Sequence, residues 1–129
     1  MKEQTVAIHY GYEKDKQKTM AVPLYQTTAY QFDSLQHAAN LFELKELGNI
    51  YTRLNNPTTA VFEARVAALE EGAAALAVAS GMSSIFYALA NVAEAGDNIV
   101  AASKLYGGSV TLLGHTLKRF GIESRFFYI

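Results

Sequence analysis

Three short segments hold residues whose types and order could do chemistry. In Ala77-Val78-Ala79-Ser80-Gly81-Met82 an apolar run ends at a small polar-glycine turn, and a helical pattern follows. The start of a helix leaves backbone N–H groups without intrahelical acceptors and carries a partial positive charge, so it suits a phosphate. Ser80, Gly81 and Met82 are therefore candidate anion-binding residues, with Gly81 letting a ligand approach the backbone closely. The alternative is that Ser80 and Gly81 only make a tight strand-to-helix turn. Tyr106-Gly107-Gly108-Ser109 follows a second apolar run and places an aromatic side chain at a strand end, where it could stack on a flat ligand ring. A tyrosine packed on the rim is the competing reading. In Tyr51-Thr52-Arg53-Leu54-Asn55-Asn56-Pro57-Thr58, Tyr51 and Arg53 stand two residues apart in what reads as an extended loop. They would point the same way and could both donate to one phosphate. A surface loop with a snorkelling arginine gives the same pattern.

Other chemistries find less support. His9, His37 and His115 are scattered without metal-ligand spacing and read as surface or satisfied residues, so no metal site is expected. The absence of cysteine excludes a thiol nucleophile, a disulfide framework and a zinc knuckle. Glu70-Glu71 reads as a solvated helix end, and Lys118-Arg119 as a last helical turn, where the helix dipole favours cations. The chain contains no Gly-x-Gly-x-x-Gly fingerprint and no Walker A sequence. Net charge is −1 with no basic cluster, so nucleic acid is not an expected partner. The longest apolar stretch, Gly72 to Gly81, falls short of the roughly 20 residues that span a bilayer, and the opening Met1-Lys2-Glu3-Gln4 lacks a signal-peptide apolar region. A cytoplasmic, non-membrane protein is the expectation.

The elements that must position these segments follow from periodicity. Met1 to Tyr30, interrupted by Pro23, reads as an extended arm that packs on something else, such as a neighbouring subunit. Asp33 or Ser34 caps a helix from Leu35 to about Leu47, with Phe42 on the buried face and Gly48 at its end. Asn56 caps, and Pro57 opens, a helix to Glu71, with Val61, Ala64, Ala68 and Leu69 inward or nearly so and Gly72 at C′. Ala74 to Ala79 reads as a strand buried on both faces, followed by a helix to about Ala95 and a second buried strand from Asn98 to Ala102. A helix to Phe120, closed by Gly121, leads to a third strand from Ile122 to Tyr128. The order implies α/β architecture with a largely parallel sheet. The division expected is an arm, helix and loop over 1–56 and an incomplete α/β domain over 57–129. With 129 residues, half of them hydrophobic, the chain can fill a core. Ending on Arg125-Phe126-Phe127-Tyr128-Ile129 with no polar tail, it reads as a fragment.

Taken together the segments resemble the Cys/Met-metabolism enzymes that use pyridoxal 5'-phosphate (PLP). The resemblance rests on Pro23-Leu24-Tyr25-Gln26-Thr27-Thr28-Ala29-Tyr30-Gln31-Phe32, the loop from Tyr51 to Thr58, Ser80-Gly81-Met82 and Leu105-Tyr106-Gly107-Gly108, in that order and spacing. It implies the first part of a PLP-dependent transferase (aspartate aminotransferase-like) large domain behind an N-terminal arm. It also implies roles. Tyr51 and Arg53 would reach the cofactor phosphate of a neighbouring subunit. Gly81 and Met82, in the turn begun by Ser80, would donate N–H groups to their own subunit's phosphate. Tyr106 would stack on the pyridine ring and help move protons. The segment Phe32 to Phe42, the form of the Tyr51–Thr58 loop and the opening Ala7-Ile8-His9-Tyr10-Gly11-Tyr12 look most like the O-acetylhomoserine sulfhydrylase branch. That branch implies γ-replacement: O-acetylhomoserine and sulfide, or another sulfur donor, give homocysteine and acetate, with PLP as electron sink. A homotetramer built as a dimer of dimers is the family habit. Methionine or cystathionine γ-lyases and cystathionine γ-synthase share the same motifs, and a non-catalytic α/β binding domain is the reading from another class. The cofactor-bearing lysine, the aspartate facing the pyridine nitrogen and the arginine for the substrate carboxylate would all lie beyond residue 129. Lys104 does not occupy the lysine's place.

Overall fold

The computed structural model describes residues 1–128. They gather into two compact units, the first from Met1 to Ala77 and the second from Val78 onward.

Three helices organise the first unit: α1 (Glu3–His9), α2 (Leu35–Phe42) and α3 (Pro57–Leu69). Helix α1 corrects the expectation of a structureless arm, and it packs on α3. None of its residues is buried, so tertiary contact, with no apolar stripe of its own, stabilises it. The chain leaves α1 close over α3. A Cβ on Gly11 (φ 75°) would stand 2.8 Å from the Ala64 Cβ, and the Arg65 Nε donates to the Tyr10 carbonyl at 2.8 Å. The rest of the arm lies on its own chain. Thr52 N donates to the Thr28 carbonyl (2.9 Å) and Tyr30 N to the Ile50 carbonyl (3.3 Å), around an antiparallel bridge between Ala29 and Tyr51.

The Ser34 side chain accepts from His37 N and caps α2, but the helix stops at Phe42, short of Leu47. Leu44 turns into the left-handed region (φ 57°), and Gly48 folds back so closely that a Cβ there would meet Leu41 Cδ2 at 2.9 Å. That fold-back buries Leu41 and leaves Phe42, the residue expected inside, exposed. Asn56 and Pro57 begin α3 as expected. Its buried residues are Val61 and Ala67, while Leu69 is exposed and Ala64 and Ala68 are half-buried. Glu71 (φ 54°), and not Gly72, takes the left-handed position after it. Helix α3 clusters with the arm, and the two compact units divide after residue 77.

Residues 74–79 form no strand. A strand exists only through ladder partners, and this alanine-rich run has little intrinsic β preference. Its Ala77 N–H is taken instead by the Glu63 carboxylate at 2.8 Å. The second unit then runs α4 (Gly81–Ala90), β1 (Asn98–Ala102), α5 (Gly107–Thr111) and β2 (Glu123–Phe127). Helix α4 ends at Ala90, before the expected Ala95. Helix α5 passes into a π-helical turn over Leu112–Thr116 and a 3-10 turn over Leu117–Phe120, closed by Gly121 at φ 78°. Strands β1 and β2 pair in parallel from Asn98 opposite Glu123 to Ala102 opposite Phe127. Parallel neighbours need a crossover, which the helical segment supplies, so the unit is α/β with a parallel sheet as expected.

Burial follows from that crossover. Leu112, Leu113, Leu117 and Ile122 form the core, with Ile85, Phe86 and Leu89 of α4 and Ile99, Ala101 and Phe126 of the strands against it. Among the described residues the strands are covered on this one face, and Val100 on the other face is exposed. Leu117 is fully buried. In the full-length protein, Leu117→Ala is expected to cost about 2–5 kcal/mol, read as a lower urea midpoint. An unchanged midpoint would contradict this core.

Candidate functional site

Helix α4 is built to present donors. Ser80 holds extended backbone (φ −155°, ψ 154°) and its hydroxyl accepts from Ser83 N at 3.1 Å. The Ser80 carbonyl accepts from Ser84 N at 3.1 Å. The capping residue thus satisfies the later donors of the first turn, and among the described residues Gly81 N and Met82 N have no acceptor. A Cβ built on Gly81 meets nothing within 4 Å, so the approach to these groups is open.

Tyr106 stands beside this turn. It is the residue before α5, with ψ 137°, and the residue is 75% exposed. Gly108 explains its position. A Cβ at Gly108 would fall 2.7 Å from Tyr106 Cε1 and 3.1 Å from Met82 Sδ, so ring and thioether converge over the bare glycine. The second unit therefore brings together Ser80, Gly81, Met82 and Tyr106: two free N–H donors beside an exposed aromatic ring.

Tyr51 and Arg53 belong to the first unit. Their segment is a turn and not the extended loop expected, because Leu54 N (2.8 Å) and Asn55 N (3.0 Å) both donate to the Tyr51 carbonyl. The turn still puts the two side chains on one side. The Arg53 guanidinium carbon lies 5.6 Å from the Tyr51 ring centre, a cation–π contact worth roughly 0.5–1 kcal/mol at an exposed site. Both residues border an open, largely apolar hollow of about 340 Å³ that Tyr30, Phe32, Phe42 and Ile50 also line.

The histidines stay outside these clusters. His37 Nδ1 accepts from Asp33 N at 3.1 Å and its ring meets Phe32 edge-on, which makes it a satisfied residue, while His9 and His115 are exposed. Among the described residues no group of acidic, histidine or cysteine side chains is arranged to hold a metal, and no helix is long and apolar enough to cross a membrane. Two features escaped the sequence reading. Gly108 stood in the Tyr106–Ser109 segment without a role of its own, and Asn56 read only as a helix cap although its amide reaches Tyr25, 31 residues away. No local pattern signals either contact.

A family model described as Cys/Met metabolism PLP-dependent enzyme matches residues 4–128. The chain belongs to that family.

Its similarity to individual members is high. It is 58% identical over 126 residues to an O-acetyl-L-homoserine sulfhydrylase of Leptospira meyeri, covering 97% of this chain and 28% of that protein. It is 50% identical over 122 residues to an L-methionine gamma-lyase of Fusobacterium nucleatum subsp. polymorphum, covering 95% of this chain and 31% of that protein. A solved O-acetylhomoserine (thiol)-lyase of Campylobacter jejuni, holding a pyridoxyl-lysine phosphate, superposes with a TM-score of 0.95 at 52% identity, over 99% of this chain and 32% of that one. The chain therefore spans under a third of these relatives.

The family's cofactor is pyridoxal 5'-phosphate, and the residues present fit its chemistry. A phosphate calls for free N–H donors at a helix start, which Gly81 and Met82 offer, and a pyridine ring calls for an open aromatic face, which Tyr106 offers. The packing itself can be checked. Gly108→Ala is expected to push the Tyr106 ring away from the helix start at a stability cost of about 1 kcal/mol, since an exposed ring can swing aside. A crystal structure of the variant with the ring unmoved would contradict this arrangement.

Proposed function

We propose that the protein carrying this chain is a PLP-dependent γ-replacement enzyme that converts O-acetylhomoserine and sulfide, or another sulfur donor, to homocysteine and acetate. The observation that carries the reading is the pair of unclaimed N–H groups at Gly81 and Met82 beside the exposed Tyr106 ring, in a chain of a PLP-dependent family. The choice of substrate draws on the 58% identity to the Leptospira meyeri sulfhydrylase.

In this reading Ser80 holds the first turn of α4 open, and Gly81 and Met82 donate to the cofactor phosphate. Tyr106 lies against the pyridine ring, and its hydroxyl accepts or returns a proton during turnover. Tyr51 and Arg53 donate to the phosphate of a neighbouring subunit's cofactor, in a homotetramer built as a dimer of dimers. When bound, the cofactor withdraws electron density from the substrate's α-carbon. The overall exchange balances: the γ-carbon loses acetate and gains sulfide.

A second reading, a γ-lyase, is favoured by the 50% identity to the Fusobacterium enzyme. The assay that separates them offers the full-length protein O-acetylhomoserine with sulfide and, separately, methionine alone. Homocysteine and acetate in equal amounts support replacement. 2-Oxobutanoate, ammonia and methanethiol from methionine, without homocysteine formation, would overturn it in favour of elimination.

Gly81→Pro tests the phosphate role. Proline suits the first helical position, and Ser80 already has the extended backbone that a following proline demands. The variant should keep its helical circular dichroism yet bind PLP about tenfold or more weakly, because one hydrogen bond to an anion is lost. Unchanged affinity would remove Gly81 from the site.

A further inference from the structure

We propose that Asn56 is the positioning residue for Tyr51 and Arg53, clamping the turn that carries them to the arm and to the start of α3. The inference rests on the reading of Tyr51 and Arg53 as phosphate ligands.

A carboxamide has one oxygen acceptor and two N–H donors. All are engaged in Asn56, which is only 5% exposed. Its Oδ1 accepts from Thr58 N at 2.9 Å, which caps α3. Its Nδ2 donates to the Tyr25 carbonyl at 2.9 Å and to Thr52 Oγ1 at 3.1 Å. Thr52 stands between Tyr51 and Arg53, and its own hydroxyl donates to the Thr27 carbonyl. One side chain therefore ties together the arm, the turn and the helix.

Neighbours reinforce the clamp without duplicating it. Thr58 Oγ1 donates to the Pro23 carbonyl at 2.7 Å and accepts from Tyr25 N at 2.9 Å, which fixes the arm to α3 but does not touch the turn. Asn55 Nδ2 donates to the Gly48 carbonyl at 2.6 Å and its Oδ1 accepts from Ile50 N at 3.1 Å, which closes the loop on itself. Only Asn56 joins the Tyr51–Arg53 turn to α3 through a side chain among the described residues. An arginine on a held backbone loses less freedom when it grips an anion than one on a loose loop, so the clamp strengthens phosphate binding without touching phosphate.

Asn56→Asp separates the clamp from the cap. The carboxylate still accepts from Thr58 N, and aspartate is as good an N-cap as asparagine, but both donors disappear. The measurement is the affinity of the apo form of the full-length protein for PLP and for pyridoxal, which lacks the phosphate. Asn56→Asp is expected to weaken PLP about tenfold while leaving pyridoxal unchanged, as Arg53→Ala does, and the double variant should be no worse than Arg53→Ala alone. Equal weakening of both ligands would show a merely structural role and overturn the proposal. So would unchanged PLP affinity in Asn56→Asp when Arg53→Ala weakens it. If Arg53→Ala leaves the preference for the phosphate intact, the phosphate reading itself fails and the positioning role goes with it. Asn56→Ser, also a good cap without the amide donors, gives the same readout should the aspartate variant not fold.

Discussion

The first turn of an α-helix has backbone donors that no residue within the helix can satisfy. Much of this molecule's organisation follows from how its helices meet that constraint. Ser34, Asn56 and Ser80 each take extended backbone and turn a side-chain oxygen onto one donor of α2, α3 and α4. What differs is the use of the remaining capacity. At α2 the capping turn also engages His37, whose Nδ1 accepts from Asp33 N. At α3 the spare amide hydrogens of Asn56 reach out to the arm and the Tyr51–Arg53 turn. At α4 the Ser80 hydroxyl spends its remaining capacity on the Ser83 hydroxyl of the same turn, at 2.9 Å, and Gly81 and Met82 remain available to an outside anion.

Caps of this kind are local, so they can be read from sequence. Asn56 before Pro57, Ser34 as one of two candidates, and the Ser80–Gly81 turn all occur where residue chemistry places them. Strand β1 falls on the residues expected, because an apolar run bounded by Gly96-Asp97 and Ser103 has few alternatives. Elements that depend on distant partners were not readable. Helix α1 has no buried face to produce a periodic signal and owes its place to α3. Leu41, and not Phe42, is inside because Gly48 folds over it, a contact that helical spacing cannot report. Residues 74–79 had strand-like hydrophobicity but find no ladder, and a strand cannot be defined by one segment alone.

The site divides in the same way. Ser80, Gly81, Met82, Tyr106, Tyr51 and Arg53 were visible as chemistry-bearing residue types at the ends of elements. The means of holding them was not. Gly108 matters because of what its missing side chain leaves room for, the Tyr106 ring and Met82, and a glycine in sequence says nothing of its neighbours. The family motifs supplied what spacing could not, because they are recognised by their order along the chain and not by any single residue. The match over residues 4–128 bears out that family and its cofactor.

Pro57 has an effect outside folding. Asparagines age by attack of the next residue's backbone nitrogen on the carboxamide, which closes a five-membered imide and sheds ammonia. The nitrogen that follows Asn56 belongs to a proline ring and carries no hydrogen to lose, so this route to spontaneous deamidation is closed at the residue on which three segments converge. The same ring that starts α3 therefore keeps the Asn56 carboxamide, with the two donors it supplies to the junction, out of reach of that imide.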